Sequence, residues 1–314
     1  MSKKVLVATS KPFASVAVKG IGKILDQAGY ELKLLENYSE QNELVAAVSD
    51  VDALIIRSDK VTREVLENAS ALKIVVRAGA GYDNVDLETA TGKNIVVMNT
   101  PGQNSNAVAE LVFGLMIRMA RRGYTGKSGT ELGGKKIGLQ AYGNVGHHVA
   151  RIAHGFGMDV YAYDPFVDAD AMKADGVIPV ENAEKLYEVC DFVSLHIPAV
   201  PQTIKSINYL LLSRMKPGAV LVNTARKEVI DENDLKRILS ERKDFYYVSD
   251  IAPDCKEDLL ATYPENVFFT AKKMGAQTLE ANVNAALAAA NQIVGFLEKG
   301  DSETCVSIKQ FLCH

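Results

Sequence analysis

Residues 135 to 164 constrain the fold more than any other stretch of the chain. Lys135-Lys136-Ile137-Gly138-Leu139-Gln140-Ala141 reads as a strand entering a core, and the turn Ala141-Tyr142-Gly143-Asn144-Val145-Gly146 follows it. A helical pattern then runs through Val149, Ala150, Ile152, Ala153 and Phe156. A second strand, Asp159 to Tyr163, ends at Asp164, 21 residues past Gly143. In such a β-α-β unit, small residues let the backbone approach a pyrophosphate and the helix N-terminus faces its charge. The acid at the second strand's end accepts hydrogen bonds from an adenosine ribose. Tyr142, Gly143, Asn144, Val145, Gly146 and Asp164 are therefore candidate cofactor contacts. Asp164 would repel a 2′-phosphate, which favours NAD over NADP. The first glycine of G-x-G-x-x-G is replaced by Ala141, and an alanine there is expected to leave the strand with negative φ.

Size and composition leave room for more than this unit. A chain of 314 residues suggests two domains, and 47% hydrophobic with 24% charged residues is ordinary for a soluble globular protein. The net charge of −4 argues against a nucleic-acid surface. Cys190, Cys255, Cys305 and Cys313 show no C-x-x-C spacing, so no zinc or redox motif is indicated, and they read as free thiols in a reducing, cytoplasmic setting. His147 and His148 open the cofactor helix and read as exposed side chains rather than metal ligands; no metal site is expected. The N-terminus enters a strand at once, without the apolar segment of a signal peptide, and no apolar run reaches membrane-spanning length.

Strands and helices alternate along the whole chain. Short apolar runs at Val5 to Ala8, Leu32 to Leu35, Ala53 to Ile56, Ile74 to Val76 and Ile95 to Met98 alternate with helical patterns near 14–28, 41–49, 62–69 and 85–91. A second series begins at Ile137, with strands near Val160, Ile178, Phe192, Val220, Tyr247 and Phe268. The expected fold is α/β: two doubly wound parallel sheets, with ligands at the C-terminal strand ends. A dinucleotide-binding domain over residues 100–285 is expected to interrupt a flavodoxin-like substrate domain made of 1–99 and 286–314. The helix over about 104–122 carries Val108, Leu111, Val112, Phe113, Leu115, Met116, Ile117 and Met119 and leaves almost no polar face. Burial against a second copy of the chain is the expected explanation, hence a homodimer.

Further segments carry a resemblance. They are Ile56-Arg57-Ser58, Val76-Arg77-Ala78-Gly79-Ala80-Gly81-Tyr82-Asp83-Asn84-Val85-Asp86, Asn99-Thr100-Pro101-Gly102, Val108-Ala109-Glu110, Tyr163-Asp164-Pro165, Ser194-Leu195-His196-Ile197-Pro198, Met215-Lys216-Pro217-Gly218, Asn223-Thr224-Ala225-Arg226 and Gly275-Ala276-Gln277-Thr278. In this order they resemble the D-isomer-specific 2-hydroxyacid dehydrogenases, and within them the branch acting on 3-phosphoglycerate. The resemblance implies hydride transfer between C2 of a 2-hydroxy acid and NAD. It also implies cofactor contacts from His196, Pro198, Thr203, Thr224, Ala225 and Asp250. The chain stops soon after its last helix, so the C-terminal regulatory domain of longer relatives is expected to be missing.

Family chemistry is run by an Arg, a His and a Glu. Arg226 matches the Arg, and its fork can hold a carboxylate and polarise the C2 oxygen. The family's Pro-His pair is replaced by Lys272-Lys273-Met274, and the position of its Glu falls on Cys255; Asp254 and Glu257 stand nearby, and the alignment favours neither. The pattern resembles a sub-type in which lysine replaces the catalytic histidine, so Lys273 is the expected acid-base group. A histidine near 6.5 needs a carboxylate to hold its proton, whereas a lysine near 10.4 does not. Arg57, Lys60 and Arg77 are candidates for a substrate phosphate, with Ser58, Ala78, Gly79, Ala80, Gly81 and Asn104 completing the substrate set. Lys127 is a further cation that could reach a phosphate. Two other readings stay open: a glyoxylate or hydroxypyruvate reductase, and a non-catalytic NAD(H)-sensing protein like the family's co-repressors.

Overall fold

The computed structural model describes residues 2–306. These residues form two compact units, 2–104 with 278–306, and Ser105–Gln277. The boundaries thus fall at 104/105 and 277/278, where the sequence reading put 99/100 and 285/286.

The first unit holds a five-stranded sheet of β1 (Lys4–Thr9), β2 (Glu31–Glu36), β3 (Ala53–Ile56), β4 (Ile74–Arg77) and β5 (Val96–Asn99), in the order β2-β1-β3-β4-β5. Every pairing is parallel, and β1 sets the register, with Val5 opposite both Leu32 and Ala53. Strands β3 and β5 are buried at every position because helices cover both faces, which is why they read as unbroken apolar runs. On one face, Ala17, Ile21 and Leu25 of the helix Ser15–Gln27 pack with Ala285, Ala286, Ala289, Ala290 and Ile293 of the helix Leu279–Lys299.

The second unit holds β6 (Lys136–Gln140), β7 (Asp159–Tyr163), β8 (Ile178–Pro179), β9 (Phe192–Leu195), β10 (Val220–Asn223), β11 (Tyr246–Ser249) and β12 (Val267–Phe269). Their order is β12-β11-β10-β9-β6-β7-β8, again all parallel. Strand order reverses between β6 and β9, and such a switch point leaves a crevice at the carboxyl ends of the strands.

One expectation is narrowed here and another is corrected. The helix Ser105–Ala120 buries Ala109, Val112, Phe113, Leu115 and Met116 in its own unit's core, with Leu111, Ile117 and Met119 packed at its margin. Much of its apolar face is thus received within one chain, while Val108, Leu111, Ile117 and Met119 stay partly open. Nor are all the cysteines free: Cys190 and Cys255 are, but Cys305 is disulfide-bonded, and Cys313 lies outside the described residues. Among the described residues, no helix is long and apolar enough to cross a membrane, and no group of three or more His, Cys, Asp or Glu could hold a metal ion.

Candidate active site

In the second unit the candidate residues follow the C-terminal ends of the strands. The turn Tyr142 to Gly146 follows β6, and Asp164 follows β7. His196, Pro198 and Thr203 follow β9, Thr224, Ala225 and Arg226 follow β10, Asp250 follows β11, and Lys273 follows β12. Sheet topology alone gathers them on one edge.

The turn after β6 is held from several directions. Ala141 adopts φ +83°, against the expected negative value. Its N–H donates to Tyr163 O (2.9 Å), and the next N–H, of Tyr142, donates to Asp164 Oδ2 (2.8 Å). The buried Tyr142 hydroxyl donates to Asp175 Oδ2 (2.9 Å), and the His147 ring packs on Tyr142 with centroids 4.2 Å apart. These contacts override the local preference of alanine. At Gly146 a Cβ would lie 2.8 Å from Ala141 O, so that position needs glycine for close helix–strand packing. A Cβ at Gly143 would meet nothing within 4 Å, which leaves open space beside the helix N-terminus. Asp164 Oδ1 accepts from Phe166 N–H (2.9 Å), so its carboxylate shapes the turn and keeps lone pairs for a ribose.

Three buried polar atoms along this edge lack any hydrogen-bond partner: His196 Nε2, Thr224 Oγ1 and Asp250 Oδ1. Buried polar groups are normally paired, so such atoms point to a ligand that supplies the missing bonds. Burial pushes the His196 pKa down to about 4, which keeps the ring neutral at pH 7. Thr203 Oγ accepts from Val200 N–H (2.9 Å) and donates to Pro198 O (2.5 Å), so it closes its own turn.

Asn223 ties the catalytic candidates together. Its Nδ2 donates to Arg226 O (2.9 Å), and its carbonyl accepts from Ser249 Oγ (2.7 Å) and Asp250 N–H (3.3 Å). Asp250 Oδ2 in turn accepts from Met274 N–H (3.1 Å) and Gly275 N–H (2.7 Å), the residues that follow Lys273. Burial raises the Asp250 carboxyl pKa, while these two N–H groups and the Lys273 charge act against the rise. Lys273 is exposed at its loop and lies close enough to Asp250 to act on it. Arg226 is half-buried, and its Nη1 donates to Ala225 O (2.8 Å).

The carboxylate beside Cys255 is Glu232, which the sequence reading did not consider. Its two oxygens accept from Asp254 N–H (2.8 Å) and Cys255 N–H (3.0 Å). Burial first, and Glu232 second, push the Cys255 thiol up to about 12. Asp254 is paired with Lys227 at 2.5 Å, and Glu257 is exposed in the first turn of the helix Lys256–Thr262. Lys127, read as a phosphate candidate, is paired with Glu265 at 2.7 Å. Arg118 lies over the Phe268 ring, 4.0 Å from its centroid, in a cation–π contact.

In the first unit the candidates gather at the ends of β3 and β4. Arg77 Nε donates to Arg57 O (3.0 Å), and a Cβ at Gly79 would lie 1.4 Å from Arg77 Nη1, so the guanidinium occupies the space that glycine leaves. Arg57 Nη2 donates to Asn282 Oδ1 (2.5 Å), and its guanidinium stacks over Phe13 at 5.3 Å. Ser58, Lys60 and Ala80 are exposed, Ala78 and Gly79 are buried, and Gly81 and Asn104 are half-buried. The buried Asp59, between Ser58 and Lys60, was also missed in the sequence.

Comparison with known proteins places this arrangement. Residues 113–271 match the D-isomer specific 2-hydroxyacid dehydrogenase, NAD binding domain. The chain belongs to the D-isomer specific 2-hydroxyacid dehydrogenases. A D-3-phosphoglycerate dehydrogenase of Methanocaldococcus jannaschii is 36% identical over 302 residues, 91% of this chain and 57% of that protein. The chain thus spans little more than half the length of that relative. A hydroxypyruvate reductase of Thermotoga maritima is 37% identical over 273 residues, 80% of this chain and 86% of that protein. The crystal structure of NAD⁺-bound 3-phosphoglycerate dehydrogenase from Entamoeba histolytica superposes with a TM-score of 0.88 at 43% identity, covering 98% of this chain and 99% of that one. In this dehydrogenase family member the orphaned atoms of His196, Thr224 and Asp250 all lie inside the matched NAD-binding segment.

Proposed function

We propose that this protein oxidises D-3-phosphoglycerate at C2 to 3-phosphohydroxypyruvate with NAD, the entry to phosphorylated serine biosynthesis. The observation that carries the reading is the linkage through Asn223 and Asp250, which ties Arg226 to the loop of Lys273 on one sheet edge. Relatives named for this activity support the choice of substrate.

Arg226 takes the substrate carboxylate and polarises the C2 oxygen. Lys273 accepts the C2 hydroxyl proton in oxidation and returns it in reduction. Bound NAD supplies hydride acceptance and donation at C2. Asp250 Oδ1, His196 Nε2 and Thr224 Oγ1 would supply hydrogen bonds to the cofactor, with Pro198, Thr203 and Ala225 lining it. The backbone of Tyr142 to Gly146 takes the pyrophosphate and Asp164 the ribose hydroxyls. Arg57, Lys60 and Arg77 take the substrate phosphate, while Ser58, the amides of Ala78 to Gly81 and Asn104 complete the substrate contacts.

Lys273→Ala tests the assignment. It should lose at least about 100-fold in kcat in both directions while NADH still binds, because positioned acid-base catalysis is worth that much. A variant keeping about a tenth of wild-type kcat would end the assignment. The Thermotoga relative keeps a second reading in view, reduction of an unphosphorylated 2-oxo acid. Equal kcat/KM on hydroxypyruvate and 3-phosphohydroxypyruvate would favour it, and NADH binding without turnover on either would favour a sensing protein. We also propose a cytoplasmic homodimer meeting at 104–122, where Val108, Leu111, Ile117 and Met119 keep part of their surface open. Light scattering at the monomer mass would refute the dimer.

A further inference from the structure

The buried carboxylate of Asp59 has no part in the chemistry described above, yet it stands between Ser58 and Lys60 at the exit of β3. It is 7% exposed. Its Oδ1 accepts from Ser10 N–H (2.7 Å) and from the Tyr38 hydroxyl (2.8 Å), and its Oδ2 faces Arg57 N–H (3.4 Å). Ser10 follows β1, Tyr38 follows β2 and Arg57 follows β3. These three strands are adjacent in the sheet, so one carboxylate ties their three ends together. From the other side, Asn84 Nδ2 donates to Asp59 O (2.7 Å) and to Arg57 O (3.2 Å), and Arg77 Nε donates to the same Arg57 carbonyl.

A buried carboxylate is unfavourable unless donors compensate it, and a neutral residue could have filled the space. What a carboxylate adds is two oxygens that accept at once, and a negative charge. Burial lowers the Arg57 pKa, and the charge of Asp59 offsets part of that loss. The group therefore fixes the backbone from which Arg57 and Lys60 project and sets a compensating charge near the half-buried guanidinium.

We propose that Asp59 is a positioning residue for substrate-phosphate recognition, setting the β3 exit turn so that Arg57 and Lys60 meet the phosphate. This rests on the phosphate role given to Arg57 above. The test measures kcat/KM for 3-phosphohydroxypyruvate and for hydroxypyruvate in wild type, Asp59→Asn, Tyr38→Phe and Arg57→Ala. For Asp59→Asn the ratio of the two should fall about ten-fold, the size of one misplaced charge-assisted hydrogen bond, chiefly through KM for the phosphorylated substrate. Tyr38→Phe removes one donor to Asp59 and should move the ratio the same way by about three-fold, which covers the case that Asp59→Asn does not fold. Loss of activity on both substrates in equal proportion, in whichever of these two variants folds, would overturn the proposal and leave Asp59 a structural residue. If Arg57→Ala lowers the ratio and neither Asp59→Asn nor Tyr38→Phe does, Asp59 alone is wrong. If Arg57→Ala leaves the ratio unchanged, the phosphate reading fails and takes Asp59 with it.

Discussion

Ala141→Gly should make this protein more stable, although glycine is the more flexible residue. Ala141 sits at φ +83°, a region that L-residues with a Cβ avoid. The penalty for a non-glycine residue there is about 1–2 kcal/mol. Glycine relieves it but loses roughly 0.5–1 kcal/mol through the greater freedom of the unfolded chain. The net gain is then about 0.5–1 kcal/mol, or roughly 1–4 °C for a unit of this size. The turn cannot relax to negative φ with alanine in place, because Ala141 N–H is held by Tyr163 O and Tyr142 N–H by Asp164. The assay is thermal unfolding of the protein without cofactor, paired with NADH titration by fluorescence. NADH affinity should change by no more than about two-fold, since those same hydrogen bonds keep the turn organised. Ala141→Val should shift the melt the other way, because a β-branched side chain tolerates positive φ less well. A melting temperature that falls with glycine would refute the reasoning.

The remaining expectations concern the cofactor edge and the β4 exit. Asp164→Ala should narrow the preference for NAD⁺ over NADP⁺, and it should also lower the melting temperature because Tyr142 and Phe166 lose their acceptor; equal use of both cofactors by wild type would show that Asp164 does not discriminate. Gly79→Ala should abolish phosphate-dependent selectivity, because its Cβ would collide with the Arg77 guanidinium, and unchanged kcat/KM for the phosphorylated substrate would count against the placement of Arg77. His196 gives a pH dependence of stability. Its folded pKa of about 4 lies below the ordinary value near 6.5, so between those values the unfolded chain binds the extra proton and stability falls as pH falls. The slope should approach about 1.4 kcal/mol per pH unit and weaken in His196→Asn; identical melts of the two proteins across that window would remove His196 as the cause.

The sheet architecture was legible because parallel strands buried on both faces must be apolar at every position. Ala53 to Ile56 is read from the sequence with the very ends it has in the fold. Arg226 could be placed at the C-terminal end of a buried strand before any coordinate, whereas Thr224 and Asp250 came from the family resemblance, and the fold sets all three at strand ends on one edge. What sequence patterning could not show is where a side chain reaches. Asp59 meets Ser10 and Tyr38, Glu232 meets Cys255, Asp175 meets Tyr142, and Lys127 meets Glu265, all across long separations in the chain. Ala141 failed for the opposite reason: local preference was read correctly, and tertiary hydrogen bonds overrode it. The helix Ser105–Ala120 was apolar enough to suggest a partner, but periodicity does not say whose core receives it.

The two departures from the family's catalytic set acquire a physical link in the fold. With Cys255 where the resemblance expects a Glu, the neighbouring carboxylate of Glu232 is occupied by two backbone N–H groups and by the thiol. It is a loop anchor, with little capacity left to hold an imidazolium. The carboxylate that reaches the proposed acid-base residue is Asp250, which accepts from the backbone of Met274 and Gly275 while its charge interacts with Lys273. A negative group beside an exposed lysine favours its protonated form, and the oxidised nicotinamide ring, when bound, would favour the neutral one. In the proposed reaction, proton exchange at the C2 hydroxyl needs both forms of Lys273 within reach of working pH. In the proposed role Lys273 would meet that need without the missing glutamate, its loop held by Asp250 through Met274 and Gly275.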